Sequence, residues 1–142
     1  MKNVSVIYWS GTGNTKLMAE AVAEGAKDKG CEVKLINVED ATKEDVASAD
    51  ALALGCPSMG AEVLEEYTME PFVEEIAGAV SGKKLALFGS YDWGDGQWMR
   101  DWTERMEGYG AQVVDGEGFI AHLTPDGDAI DNCKYLGAKL AE

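Results

Sequence analysis

Short, almost unbroken apolar runs alternate with amphipathic stretches along the whole of this 142-residue chain. Val4, Val6, Ile7, Tyr8 and Trp9 make up the first run, and residues 51–55 are apolar throughout. A strand without polar alternation is buried on both faces, which requires a sheet covered by helices on both sides. The amphipathic stretches supply that cover. Over 14–29, Met18, Val22, Gly25 and Ala26 share one helical face, while Glu20, Glu24, Lys27 and Asp28 share the other. Gly30 follows as a helix stop. Further strands are expected at 32–38, at 84–89 and within 112–123, the last interrupted around Gly116 and Gly118. A short acidic helix is expected over 42–49. Helical spacing recurs at Phe72, Val73, Ile76, Ala77 and Val80, and again at Trp98, Met99, Trp102 and Met106. After Pro125 it returns at Ile130, Cys133, Leu136 and Leu140. Strict strand–helix alternation with right-handed crossovers predicts an α/β fold. Its form is a three-layer sandwich around a doubly wound, five-stranded parallel sheet. The length suits one domain spanning 1–142.

The charge narrows the function classes. Asp and Glu number 26 and Lys and Arg 12, for a net charge of −14. Such a surface repels nucleic acid and anionic membranes and steers in partners with basic patches. No run approaches the ~20 apolar residues of a membrane span, and the N-terminus lacks the features of a secretory leader. Cys31, Cys56 and Cys133 are odd in number and far apart, without CxxC or zinc spacing, so a reducing cytoplasm is the expectation. The single His122 is expected to be structural. Asp126, Asp128 and Asp131 do not complete a calcium loop, because Ile130 falls where it needs an oxygen ligand and Gly137 replaces its terminal glutamate. No GxSxG exists for a histidine to serve.

In an open parallel sheet, ligands bind beyond the carboxyl ends of the strands. Three segments there are chemically distinctive. Ser10-Gly11-Thr12-Gly13-Asn14-Thr15 opens the first helix with two glycines, four side-chain donors and the helix's own N–H groups. It is an anion cradle without a formal charge and with room for one phosphate. It is neither a Walker loop nor a dinucleotide fingerprint, because Lys16 stands where the latter needs its third glycine. Cys56-Pro57-Ser58-Met59-Gly60-Ala61-Glu62 follows the third strand. It offers a polarizable Met59, a flexible Gly60 and a carboxylate acceptor at Glu62. Ser90-Tyr91-Asp92-Trp93-Gly94-Asp95-Gly96 follows the fourth, with Trp93 expected to be exposed and free to stack on a flat ring. Trp98 and Trp102, at helical spacing, are expected in the core.

These motifs carry a family resemblance. YWSGTGNT at 8–15, LGCPSMGAEVLEE at 54–66 and LFGSYDWGDGQWMRDW at 87–102 resemble those of short-chain flavodoxins of the anaerobic-bacterial type. With the strand–helix rhythm, the likeness extends over essentially the whole chain. It implies a flavodoxin-like sheet of order 2-1-3-4-5 and a low-potential one-electron carrier with non-covalent FMN, cycling between semiquinone and hydroquinone. Residues 10–15 would hold the 5′-phosphate and Trp9 would lie beside the ribityl chain. Ser58 and Ser90 to Asp95 would belong to the same cofactor site. Met59 and Trp93 would flank the ring, Glu62 would accept from its N3–H, and the backbone at Gly60–Ala61 would turn a carbonyl toward N5. Partners would be transient redox proteins with basic docking surfaces, and the chain a monomer. Three positions depart from relatives: Asp92 stands where glycine is common, Pro57 where some carry a phosphate-binding serine, and Ala61 where some carry Asp or Ser. Asp92 implies either a left-handed backbone or a different turn. Two other classes compete. A receiver domain needs a phosphoacceptor Asp where Leu54-Gly55-Cys56 stands. An FMN-dependent quinone or flavin reductase needs a second substrate pocket over the ring.

Overall fold

The computed structural model describes residues 2–142. It comprises β1 (Asn3–Tyr8), α1 (Asn14–Asp28), β2 (Glu32–Asn37), α2 (Lys43–Ala47), β3 (Ala51–Gly55), α3 (Met69–Glu75), β4 (Lys84–Tyr91), α4 (Gln97–Gly108), β5 (Gln112–Val113), β6 (Phe119–His122) and α5 (Gly127–Leu140). All ladders are parallel, in the order β2-β1-β3-β4-β5, with β6 continuing along the same edge of β4. The expected order is therefore present. The fifth strand is two pieces, however, because a single 3-10 turn at Val114–Gly116 intervenes, with Asp115 and Gly116 both at positive φ.

Period-two alternation divides the sheet into unlike faces. On β3, Ala51 and Ala53 point toward α1 and α5, while Leu52 and Leu54 point toward α3 and α4. Ala86 continues the small-residue face, and Leu85 and Leu87 the large one. Trp98 and Trp102 are buried in the large-residue layer, as their spacing predicts. Alanines let α1 and α5 approach the sheet, and glycines let them approach each other. A Cβ on Gly25 would collide with the Lys134 carbonyl, and one on Gly137 with the Val22 carbonyl.

Element ends follow their caps. Thr42 and Asp45 form a reciprocal capping box that starts α2. Asp126 accepts the Ala129 N–H at 2.8 Å, which starts α5 two residues after Pro125. The spacing of 72–80 corresponds to α3 followed by a 3-10 turn at Ala77–Ala79 rather than to one helix. Among the described residues, no helix is long and apolar enough to cross a membrane.

Candidate functional site

Four loops meet beyond the carboxyl ends of β1, β3, β4 and β6. In the first, Ser10 Oγ accepts the N–H groups of Gly13 (3.1 Å) and Lys16 (3.2 Å), and Thr12 Oγ1 accepts that of Asn14 (3.4 Å). Gly13, at φ 98, is the N-cap of α1 and has no side-chain cap. The N–H groups of Gly11, Thr12 and Thr15 have no partner among the described residues. Uncommitted amides at a helix N-terminus attract an anion. Trp9 lies over Gly11, where a Cβ would come 3.0 Å from its ring. Thr15 is buried, and its hydroxyl shares a 2.8 Å hydrogen bond with that of Ser90. Thr15 thus ties the first loop to the third from within the protein.

The second loop is a tight hairpin. Met59 and Val63 exchange backbone hydrogen bonds of 2.9 and 3.0 Å around Gly60-Ala61-Glu62. Gly60 and Glu62 both have left-handed backbones, at φ 47 and φ 56. Glu62 Oε1 accepts the Asp95 N–H at 3.1 Å, whereas Oε2 is buried with no partner among the described residues. A carboxylate oxygen in that state lacks the donor that burial demands. Gly94, at φ 89, makes room for this side chain, since a Cβ there would collide with Glu62 Oε1.

Glu65 belongs to the fold rather than to the surface. It is 5% exposed, and its carboxylate accepts N–H groups from Tyr67 (2.8 Å), Thr68 (2.8 Å) and Met69 (2.9 Å). It does the capping that the Thr68 side chain does not. Glu65→Ala is expected to destabilise the chain by about 2–3 kcal/mol, because three N–H groups lose a charged acceptor. Urea unfolding followed by circular dichroism checks this, and a midpoint equal to wild type would remove the cap from the account. Cys56 is buried beneath the same loop, where its Sγ accepts the Glu65 N–H at 3.4 Å. Burial pushes its thiol up to about 12, so it is an inert packing group and not a nucleophile.

In the third loop, Asp92 has no left-handed backbone; Gly94 and Gly96 take the positive φ values instead. Trp93 is 59% exposed, as expected. Asp95 is paired with Arg100 at 2.9 Å. His122 donates from Nε2 to the Asp92 carbonyl at 2.9 Å and lies against Tyr91, with ring centroids 5.0 Å apart. Its role is structural, holding the fourth loop to the third.

Between the loops is an open cavity of about 210 Å³. It is lined by Trp9, Gly11, Thr12, Asn14, Ser58, Met59, Ser90, Tyr91 and Asp92, and also by Pro57 and Leu123. Ser10, Gly13 and Thr15 form the first loop's turn behind it. Gly60 and Ala61 occupy the hairpin tip. Glu62, Trp93, Gly94 and Asp95 do not line the cavity: Glu62 is joined to Asp95 and packed against Gly94, and it lines a separate small cavity of about 130 Å³ with Trp98, Trp102 and Arg105. The fourth loop carries no distinctive residue in the sequence. Its Thr124 hydroxyl donates to Asn14 Oδ1 at 3.2 Å, and Leu123 lines the cavity. Its position at a strand's carboxyl end was the available signal. A larger groove of about 750 Å³ lies between α4, residues 115–118 and α5, touching the third loop only at Gly96, and has none of the first loop's uncommitted donors.

The flavodoxin family model matches residues 6–135 of this chain. The chain belongs to the flavodoxin family. It is 51% identical to the flavodoxin of Clostridium beijerinckii over 138 residues, covering 97% of this chain and 99% of that protein. It is 43% identical to the flavodoxin of Megasphaera elsdenii over 139 residues, covering 98% of each. The fold superimposes on the solution structure of two-electron reduced Megasphaera elsdenii flavodoxin with a TM-score of 0.86, over 97% of this chain and 98% of that one. The protein is accordingly a low-potential carrier of single electrons on non-covalently bound FMN, exchanged with redox partner proteins, and not an enzyme.

Proposed function

We propose that FMN is held across the four loops, with its phosphate on residues 10–15 and its ring between the second and third loops. The buried Glu62 Oε2, unpartnered among the described residues, is the observation that carries this reading, because it is an acceptor built for an N–H that those residues do not supply. The uncommitted amides of Gly11, Thr12 and Thr15 fit a phosphate dianion in the same way. Dipoles rather than lysine or arginine would bind the anion of this acidic protein. Bound FMN supplies the one-electron chemistry. The residues orient and tune it: Trp9, Tyr91 and Met59 provide apolar walls, Trp93 stacks from the exposed loop, and Ser58, Ser90, Asp92 and Asp95 frame the site. Glu62 accepts from the ring imide, and its negative charge opposes further negative charge nearby. The Gly60 carbonyl is free to turn and accept a proton-bearing nitrogen, since Met59 and Val63, not Gly60, hold the hairpin closed.

Titration of apoprotein with FMN, followed by flavin fluorescence, tests the assignment. Trp93→Ala is expected to weaken binding about tenfold through lost stacking. Unchanged affinity would remove Trp93 from the site.

The surface around this site supports docking of partners with basic faces. Glu66 and Asp92 are exposed there, as are Tyr67 (90%) and Trp93. Such acids raise encounter rates with basic proteins at low salt. The continuous core on both sheet faces supports one domain over 1–142, and the free cysteines a reducing cytoplasm. We take the working form to be a monomer, which leaves this face open to exchange.

A further inference from the structure

Leu123 is costly where it stands. Its backbone is left-handed at φ 57, a conformation that side chains other than Asn and Asp seldom adopt. Its side chain is 46% exposed and lines the cavity with Trp9, Pro57 and Met59. The backbone is not free to relax. The Leu123 N–H donates to the Tyr91 carbonyl at 2.8 Å, His122 is tied to the Asp92 carbonyl, and Thr124 is tied to Asn14. Strain over-determined by its surroundings collects at ligand clamps. Among the described residues, nothing covers the exposed apolar surface that this strain maintains.

We infer that Leu123 is a further FMN-contact residue, held in a strained backbone so that its side chain forms an apolar wall of the cofactor cleft. The inference rests on the cleft being the FMN site. Covering roughly half a leucine's surface strengthens binding about five- to tenfold. The strain belongs to the apoprotein, so binding and folding place opposite demands on the residue. A residue that served only the fold would show no such opposition.

Leu123→Gly and Leu123→Met are compared with wild type for FMN affinity by fluorescence titration and for thermal unfolding of the apoprotein. Leu123→Gly is expected to weaken FMN about five- to tenfold, while the unfolding midpoint of its apoprotein holds or rises, because glycine takes φ 57 without strain. Leu123→Met keeps an apolar wall and is expected to bind within about twofold of wild type. Wild-type affinity in Leu123→Gly would overturn the inference. So would a loss of affinity accompanied by a matching loss of apoprotein stability, since that marks a purely structural role. If wild-type apoprotein itself takes up no FMN, the cleft assignment falls, and the role of Leu123 with it. If wild type binds and Leu123→Gly binds equally well, only the role of Leu123 falls.

Discussion

Gly137→Ala is expected to destabilise the chain by about 3 kcal/mol, and Gly137→Val to leave little native protein at 37 °C. The sign is not obvious from the helix alone. Gly137 sits inside α5, and intrinsic propensity favours alanine there by about 1 kcal/mol. Against this, the added Cβ collides with the Val22 carbonyl of α1 and approaches the Ala26 N–H at 2.7 Å. These are backbone atoms within a helix and cannot turn aside as a side chain could. The helices must separate, and Gly25 against Lys134 shows that they touch at a second point as well. Separation would open the layer built from Met18, Val22, Ala26, Cys133 and Leu136. Overpacking costs reach about 3 kcal/mol, so the collision outweighs the propensity. A β-branched valine adds two more methyl groups against a total stability of about 5–15 kcal/mol. Urea unfolding of the apoproteins measures the effect. A Gly137→Ala chain as stable as wild type would show that α1 and α5 are less tightly packed than described.

This contact marks the boundary of what the sequence makes legible. The apolar runs at β1, β3 and β4 show which strands are central, since only doubly covered strands lack alternation. The glycine of a helix–helix contact is visible as a residue, but nothing local says what it touches. The left-handed positions show the same limit. Asp92 looked the better candidate by type and by its neighbour Trp93. Glu62 adopts the conformation inside the hairpin that Met59 and Val63 close, and Leu123 adopts it where its N–H is held by the Tyr91 carbonyl. The three loops with distinctive residues were legible because glycines, hydroxyls and an exposed tryptophan have few other uses at strand ends. The fourth loop lacks such residues, and its leucine reads as ordinary core.

Charge shows the limit again. Glu62, Glu65, Glu66, Asp92 and Asp95 cluster in sequence near the cleft and read together as a docking face. In the structure Glu65 is an internal cap and Asp95 is paired with Arg100. Glu66, Asp92 and, though paired, Asp95 remain exposed, while Glu62 Oε2 is buried. A net charge of −14 therefore acts on partners mainly from the surrounding surface, where it is screened beyond about 8–10 Å at physiological salt. On the proposed placement of FMN, close electrostatic control of the cofactor would fall to the Glu62 carboxylate.

Gly94→Ala is expected to lower FMN affinity by about 10- to 100-fold, and to do so through Glu62. The new Cβ would collide with Glu62 Oε1 and would hold a side chain at φ 89. Backbone strain of that kind costs on the order of 1 kcal/mol, and it falls on the folded chain whether or not FMN is present. The affinity loss has a different source. Displacing the carboxylate breaks its hydrogen bond from Asp95 and carries Oε2 from the place where it would accept from the ring imide. A hydrogen bond to a charged acceptor is worth about 1.5–3 kcal/mol, which corresponds to the stated range. A double-mutant cycle separates the two causes. If glycine is needed to make room for Glu62, Gly94→Ala should cost affinity beside Glu62 and little once Glu62→Ala has removed the side chain. Affinities from fluorescence titration of the four apoproteins decide this. Additive losses would mean that Gly94 acts on the Trp93 loop independently of the carboxylate, and Glu62 would lose its place as the group that the third loop is built around.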